Sequence, residues 1–116
     1  MTAGSISQIR MWVNLPAKEG FTALHFASFK GHLDSINSLL QAGANFHALT
    51  ATKLNMMHVA AQNDQAASLY IFKELGLDID AEDHKGATAV DWAVHKGMEV
   101  ALSYLLAWGP DLEHQD

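Results

Sequence analysis

Cysteine is absent from the 116 residues, which removes disulfides, thiolate zinc sites and a cysteine nucleophile from the chemistry of this chain. Its absence also fits a reducing compartment. Basic residues are few: seven Lys and Arg stand against thirteen Asp and Glu, a formal charge of −6. That balance argues against nucleic acid or an anionic membrane as a partner, because both need a cationic stripe to release counterions. No long apolar run occurs either. The longest uncharged, apolar-rich stretch, Val100 to Pro110, is about half of the ~20 residues a spanning helix needs, so no direct membrane insertion is expected. The opening Met1-Thr2-Ala3-Gly4-Ser5-Ile6-Ser7 lacks the basic and apolar regions of a secretory signal, and a cytoplasmic location is the expectation. What the chain does have is 49% hydrophobic and only 17% charged residues, enough to bury a core at a length suited to one domain.

That core is organised by repetition. Thr22-Ala23-Leu24-His25 is followed by Asn55-Met56-Met57-His58 and Thr88-Ala89-Val90-Asp91, so each block begins 33 positions after the last. The same offset carries Ala27 onto Ala60 and Ala93, Leu39 onto Phe72 and Leu105, and Gly43 onto Gly76 and Gly109. No insertion is needed from Ala17 to Gln115. Three in-register copies are a strong signal of a repeat architecture.

Each copy reads as a helical pair. Thr22, Asn55 and Thr88 are good N-caps for a short first helix, which ends at Gly31 and Gly97, residues suited to a left-handed helix end. The second copy carries Asp64 there, a less favourable choice. Second helices are expected over Leu33–Gln41, Ala66–Glu74 and Glu99–Ala107, each stopped by a glycine. The small residues Ala27, Ala60, Ala61 and Ala93 allow close approach of neighbouring pairs. With Leu24, Met57, Val90, Leu39, Leu40, Phe72, Leu102, Leu105 and Leu106 they form the expected core, which no single copy could bury alone.

A 33-residue helix–turn–helix with T-x-L-H near its start resembles the ankyrin repeat. Gly20-Phe21-Thr22-Ala23-Leu24-His25-Phe26-Ala27, Gly31-His32 and Leu39-Leu40-Gln41-Ala42-Gly43-Ala44-Asn45 follow that family's pattern. The resemblance implies an all-α ankyrin-repeat solenoid with repeats at 17–49, 50–82 and 83–116; before them, in residues 1–16, the spaced apolar positions Ile6, Ile9 and Val13 predict a lone capping helix over the first repeat. It also implies that His25 and His58 hydrogen-bond the turns between repeats. The last second helix carries no charge after Glu99, unlike a polar cap, and Asp116 aligns with Asp83. Both features are read as a piece of a longer array, or as end-to-end self-association through residues 100–108.

In such a stack the first helices line a concave face. The residues opposite the alanines are Phe26, Phe29, Lys30; Val59, Gln62, Asn63; and Trp92, His95, Lys96, with turn tips at Phe21, Leu54 and Ala87 beside them. From this set Phe21, Phe29, Lys30, Leu54, Gln62, Asn63, Trp92, His95 and Lys96 are the candidate partner-binding residues, the aromatic ones foremost because such side chains dominate binding hot spots. The competing reading makes Phe26, Val59 and Trp92 half-buried packing residues, and both can hold for Trp92. The seven histidines show no closely spaced ligand set for zinc. Asp78, Asp80, Glu82 and Asp83 lack the glycine and bidentate glutamate of a calcium loop and read as a solvated turn. No phosphate loop, nucleophile elbow or paired catalytic carboxylates appear, so neither a cofactor nor an enzymatic activity is expected of this chain.

Three stretches are more particular: Gly20 to Gly31, Asn55 to Gln65 with Ser68-Leu69-Tyr70-Ile71-Phe72, and Ser103 to Trp108. Together they resemble the N-terminal ankyrin region of the DHHC palmitoyltransferases, with Asn63 in place of a glycine and Thr88-Ala89-Val90-Asp91-Trp92 without the family's proline and histidine. The resemblance implies a docking surface that captures a short peptide of a substrate protein, with Asn63 and Trp92 at comparable contact positions, on the cytosolic face of a membrane. The catalytic Asp-His-His-Cys segment is absent from this stretch. The alternative is a stand-alone ankyrin adaptor or inhibitor with no acyltransferase link.

Overall fold

The computed structural model describes residues 6–109, and among them it contains seven α-helices and no strand. They are α1 (Ile6–Val13), α2 (Ala23–Lys30), α3 (Leu33–Gln41), α4 (Met56–Gln62), α5 (Ala66–Glu74), α6 (Ala89–Lys96) and α7 (Glu99–Ala107). After α1 the helices form three antiparallel pairs. Inner helices α2, α4 and α6 pack in sequence, and α5 packs on α7 in the outer row. The result is an elongated slab of 51 × 25 × 21 Å.

The pairs are held in register by bonds that recur with the sequence. The turn at the start of each repeat carries the same backbone bond: Ala17 N–H to Phe21 O, Thr50 N–H to Leu54 O, and Asp83 N–H to Ala87 O. The turn tips are then laddered together, Ala51 N–H donating to Glu19 O at 2.9 Å and His84 N–H to Thr52 O at 3.0 Å. All three inner helices start in a capping box: Thr22 with His25, Asn55 with His58, and Thr88 with Asp91. Two backbone N–H groups of each first turn are thereby satisfied reciprocally.

The two histidines do a second job. His25 Nδ1 accepts from Thr22 N–H at 3.1 Å, which fixes the proton on Nε2, and Nε2 reaches the Leu54 carbonyl at 3.2 Å in the following turn. His58 repeats the arrangement, with Nε2 reaching Ala81 O at 2.8 Å. Burial lowers both pKa values below the ordinary 6.5, against the opposing pull of those carbonyls and, at His58, of the Asp83 and Asp91 charges. The unfolded chain therefore binds more protons than the native one below that value, and stability rises with pH there. Melting temperature should be nearly flat above about pH 6.5 and fall progressively as the pH drops below it. A series of circular-dichroism melts from pH 8 to pH 5 checks this.

The core runs unbroken through all three pairs: Leu24, Ile36, Met57, Leu69, Phe72 and Leu105 are almost fully buried, with Ala27, Ala60, Ala61 and Ala93 at the helix contacts. Every residue of α4 from Met56 to Ala61 is buried, because this helix has a neighbour on each side. Leu106, expected in the core, is 44% exposed; among the described residues no helix lies against its side of α7. Helix α1 docks at the end of α3, where Asn14 Nδ2 donates to Gly43 O and Asn14 Oδ1 accepts from Asn45 N–H at 2.7 Å. It leaves Ala23 and Ser35, on the outward side of the first pair, exposed.

Asp64 shows how a poor local choice is retained. It sits in the left-handed region at φ 60° where the other copies have glycine. Its Oδ1 accepts from Ala101 N–H at 2.6 Å, capping the first turn of α7 in the next pair. Asp64→Gly should relieve the backbone and lose the cap. Asp64→Ala should lose the cap and keep the strain, for about 1–3 kcal/mol of destabilisation, more than the glycine variant in urea unfolding.

Candidate peptide-binding groove

Repeat-equivalent positions on the inner helices open onto the same side of the slab and form two clefts. The first, of about 200 Å³, is lined by Phe21, His25, Phe26, Phe29, Val59 and Gln62. Its walls are aromatic: the Phe21 ring lies 5.6 Å from that of Phe26 and edge-on to the His25 ring at 5.7 Å. Among the described residues, Gln62 Nε2 at its edge is a buried side-chain donor with no hydrogen-bond partner.

The second cleft, of about 330 Å³, is lined by Asp83, Lys85, Ala87, Asp91, Trp92 and His95. Trp92 is half-buried, and its Nε1 donates to Asp83 Oδ2 at 3.0 Å. Asp83 is itself buried, its Oδ1 accepting from Lys85 N–H at 2.9 Å and Ala87 N–H at 3.0 Å. Burial alone would raise the Asp83 carboxyl. The N–H groups of Ala87 and Lys85 and the Trp92 indole outweigh it, with help from the charge of His58, and the group titrates below its ordinary value. A carboxylate whose charged form these donors favour thus fixes the indole ring. His95 stands edge-on to that ring at 6.1 Å.

The expected site residues therefore divide. Phe21, Phe29 and Gln62 share the first cleft, and Trp92 and His95 the second. Lys30 and Lys96 are exposed at the last turns of α2 and α6 and line neither cleft. Asn63 lies between them, where its Nδ2 donates to Phe29 O at 2.8 Å and ties the end of α4 to the end of α2. Leu54 departs from expectation. It is 8% exposed, because the turn that carries it folds inward to present its carbonyl to His25. Val59 is likewise a packing residue, while Phe26 is half exposed and faces the first cleft.

Asp83 was read as part of a solvated turn, and that reading is corrected: it is the buried anchor of the second cleft. The pointer in the sequence was Asp83-His84-Lys85-Gly86, an aspartate three residues before a glycine, which favours a type I turn closed by the side chain. Among the described residues no group of acidic, histidine or cysteine side chains is placed to hold a metal ion, and no helix is long and apolar enough to cross a membrane.

Stacked helical pairs with an open inner face define a repeat solenoid, the architecture that presents an extended concave surface suited to binding. The chain belongs to the ankyrin-repeat family: residues 24–116 match the family model for ankyrin repeats in three copies. It is 32% identical over 91 residues to human BCL-6 corepressor-like protein 1, covering 78% of this chain and 5% of that protein. It is 32% identical over 102 residues to mouse ankyrin repeat domain-containing protein 63, covering 84% and 26%. It is 27% identical over 99 residues to palmitoyltransferase AKR1 of Lachancea kluyveri, covering 82% and 13%. The chain thus spans about a quarter or less of these relatives. The fold is the all-α ankyrin solenoid the repeat pattern implied, and the likeness to a palmitoyltransferase is a distant one among several ankyrin-repeat proteins.

Proposed function

We propose that this domain binds an extended segment of a partner protein across its inner face, using the two clefts as subsites. The observation that carries the reading is the pair of aromatic-lined hollows at equivalent repeat positions, one bounded by Phe29 and the other by an indole that Asp83 fixes in place. The first suits an apolar side chain. The second sets an aromatic face beside the carboxylates of Asp83 and Asp91, a setting for a cationic side chain. A rigid, partly exposed aromatic ring loses little entropy on binding, which is what makes such residues hot spots.

The finer reading is that the domain recruits substrate for a palmitoyltransferase on the cytosolic side of a membrane, which the likeness to AKR1 supports. The adaptor reading is supported by higher identity to relatives that carry no such name. Binding to peptide arrays separates groove from non-groove function. Phe29→Ala and Trp92→Ala should each weaken a selected peptide by about tenfold or more. Asn63→Ala should act mainly on stability, since its amide is engaged with Phe29 O. Full affinity in both aromatic variants would place the site off this face.

A further inference from the structure

The formal charge of −6 is unevenly spread. Among the described residues, Asp34, Glu74 and Glu99 lie in the outer helices, and Asp78, Asp80 and Glu82 in the stretch that follows α5. The acids of the inner helices and their turns are, Glu19 apart, spent inside the fold. Asp64 Oδ1 accepts from Ala101 N–H, Asp83 from Lys85 N–H, Ala87 N–H and the Trp92 indole, and Asp91 Oδ2 from Thr88 N–H. The lysines of the inner side are not spent. Among the described residues the one ion pair joins Lys73 to Glu74 in the outer row, while Lys30 and Lys96 are exposed and in no ion pair.

Lys30 and Lys96 occupy one repeat position, at the ends of α2 and α6. Each follows by four residues an aromatic that lines a cleft, Phe26 for the first and Trp92 for the second. Residues four apart share a helix face, so an unpaired ammonium group stands one turn beyond each cleft. The middle repeat has a neutral residue there, Asn63, whose amide is already engaged with Phe29 O at 2.8 Å. A cation in a last turn also suits the helix dipole, so both lysines are tolerated without a side-chain partner.

The inner helices pack in sequence, and helix axes in contact lie about 8–10 Å apart. Lys30 and Lys96 are therefore about 16–20 Å apart, the reach of about five to six residues of extended chain. We propose that the partner segment carries two carboxylate side chains at about that separation, received by Lys30 and Lys96. The inference rests on the groove reading of this face and adds the charges the partner must carry. An apolar side chain and a cationic one lie between the two acids, in the first and second clefts. Charges at such a rim steer encounter with an acidic segment and turn away a basic one.

Fluorescence anisotropy with labelled synthetic peptides tests this. One pool carries two aspartates about five to six residues apart, with leucine and arginine between them in an alanine–serine background. Parallel pools carry asparagine or lysine in place of both aspartates. The aspartate pool should bind about tenfold tighter than the asparagine pool, with the lysine pool weakest, and the advantage should shrink as salt is raised. Lys30→Glu and Lys96→Glu should each weaken the aspartate pool about fivefold and leave the asparagine pool unchanged, and the double variant should prefer the lysine pool. A lysine that serves only its helix end would shift the melting curve and no peptide preference. Phe29→Ala and Trp92→Ala report on the groove separately. Equal binding of the aspartate and asparagine pools, or equal loss on both in the lysine variants, overturns the proposal, and the groove reading stands if the aromatic variants still weaken binding. Binding of no pool at about 1 mM overturns both. A single-stranded oligonucleotide held more tightly than the aspartate pool through the same lysines would also overturn it.

Discussion

Phe72→Ala should lower the free energy of unfolding by about 3–5 kcal/mol, enough to leave a domain of this size largely unfolded at physiological temperature. Phe72 is fully buried in the outer helix of the middle pair, so the cavity it leaves borders the core on both sides. In a repeat array each pair owes much of its stability to its neighbours, and the loss should spread rather than remain local. Urea unfolding followed by helical ellipticity measures it. The truncation at the equivalent position of the last described pair, Leu105→Ala, should cost less, because a smaller side chain is removed.

Asp83→Ala should destabilise by about 2–4 kcal/mol, since hydrogen bonds to a charged group are worth about 1.5–3 kcal/mol and three donors lose their acceptor at once. It should also weaken peptide binding in the second cleft, because the Trp92 indole is no longer fixed. Asp83→Asn separates the two effects. An amide keeps one acceptor and loses the charge, so it should hold the turn better than alanine does. Indole fluorescence, dominated by Trp92 once Trp12 and Trp108 are changed to phenylalanine, reports the loosening directly. The Asp83 contribution is present above its ordinary pKa and is lost as the pH falls through the lowered native value.

The helices were legible because their limits are written in single residues. Thr22, Asn55 and Thr88 begin the inner helices, and Gly43, Gly76 and Gly109 follow the outer ones with no change of spacing. The aromatic residues of the groove were legible for the same reason, since repeat position fixes which side of a helix they share. Leu54 and Asp83 were not. Both lie in the turns, where facing in or out depends on a hydrogen bond to a side chain elsewhere: His25 for the Leu54 carbonyl, Trp92 for the Asp83 carboxylate. Asp64 was read from its strain alone, because its partner, Ala101, is 37 residues away. Leu106 was misplaced because a helical pattern gives the face a residue occupies and not whether anything lies against that face.

Helix α4, wrapped on both flanks, behaves as the keystone of an arch whose outer stones, among the described residues, each rest on one neighbouring inner helix. Opening free energies in such a structure grade from the rim to the middle, so breathing begins at α2–α3 and α6–α7 and reaches α4 last. The first cleft straddles that gradient, with one wall on α2 and the other on α4. A ligand lodged there clamps a looser unit to the most rigid one, and so slows the fraying of the side it touches.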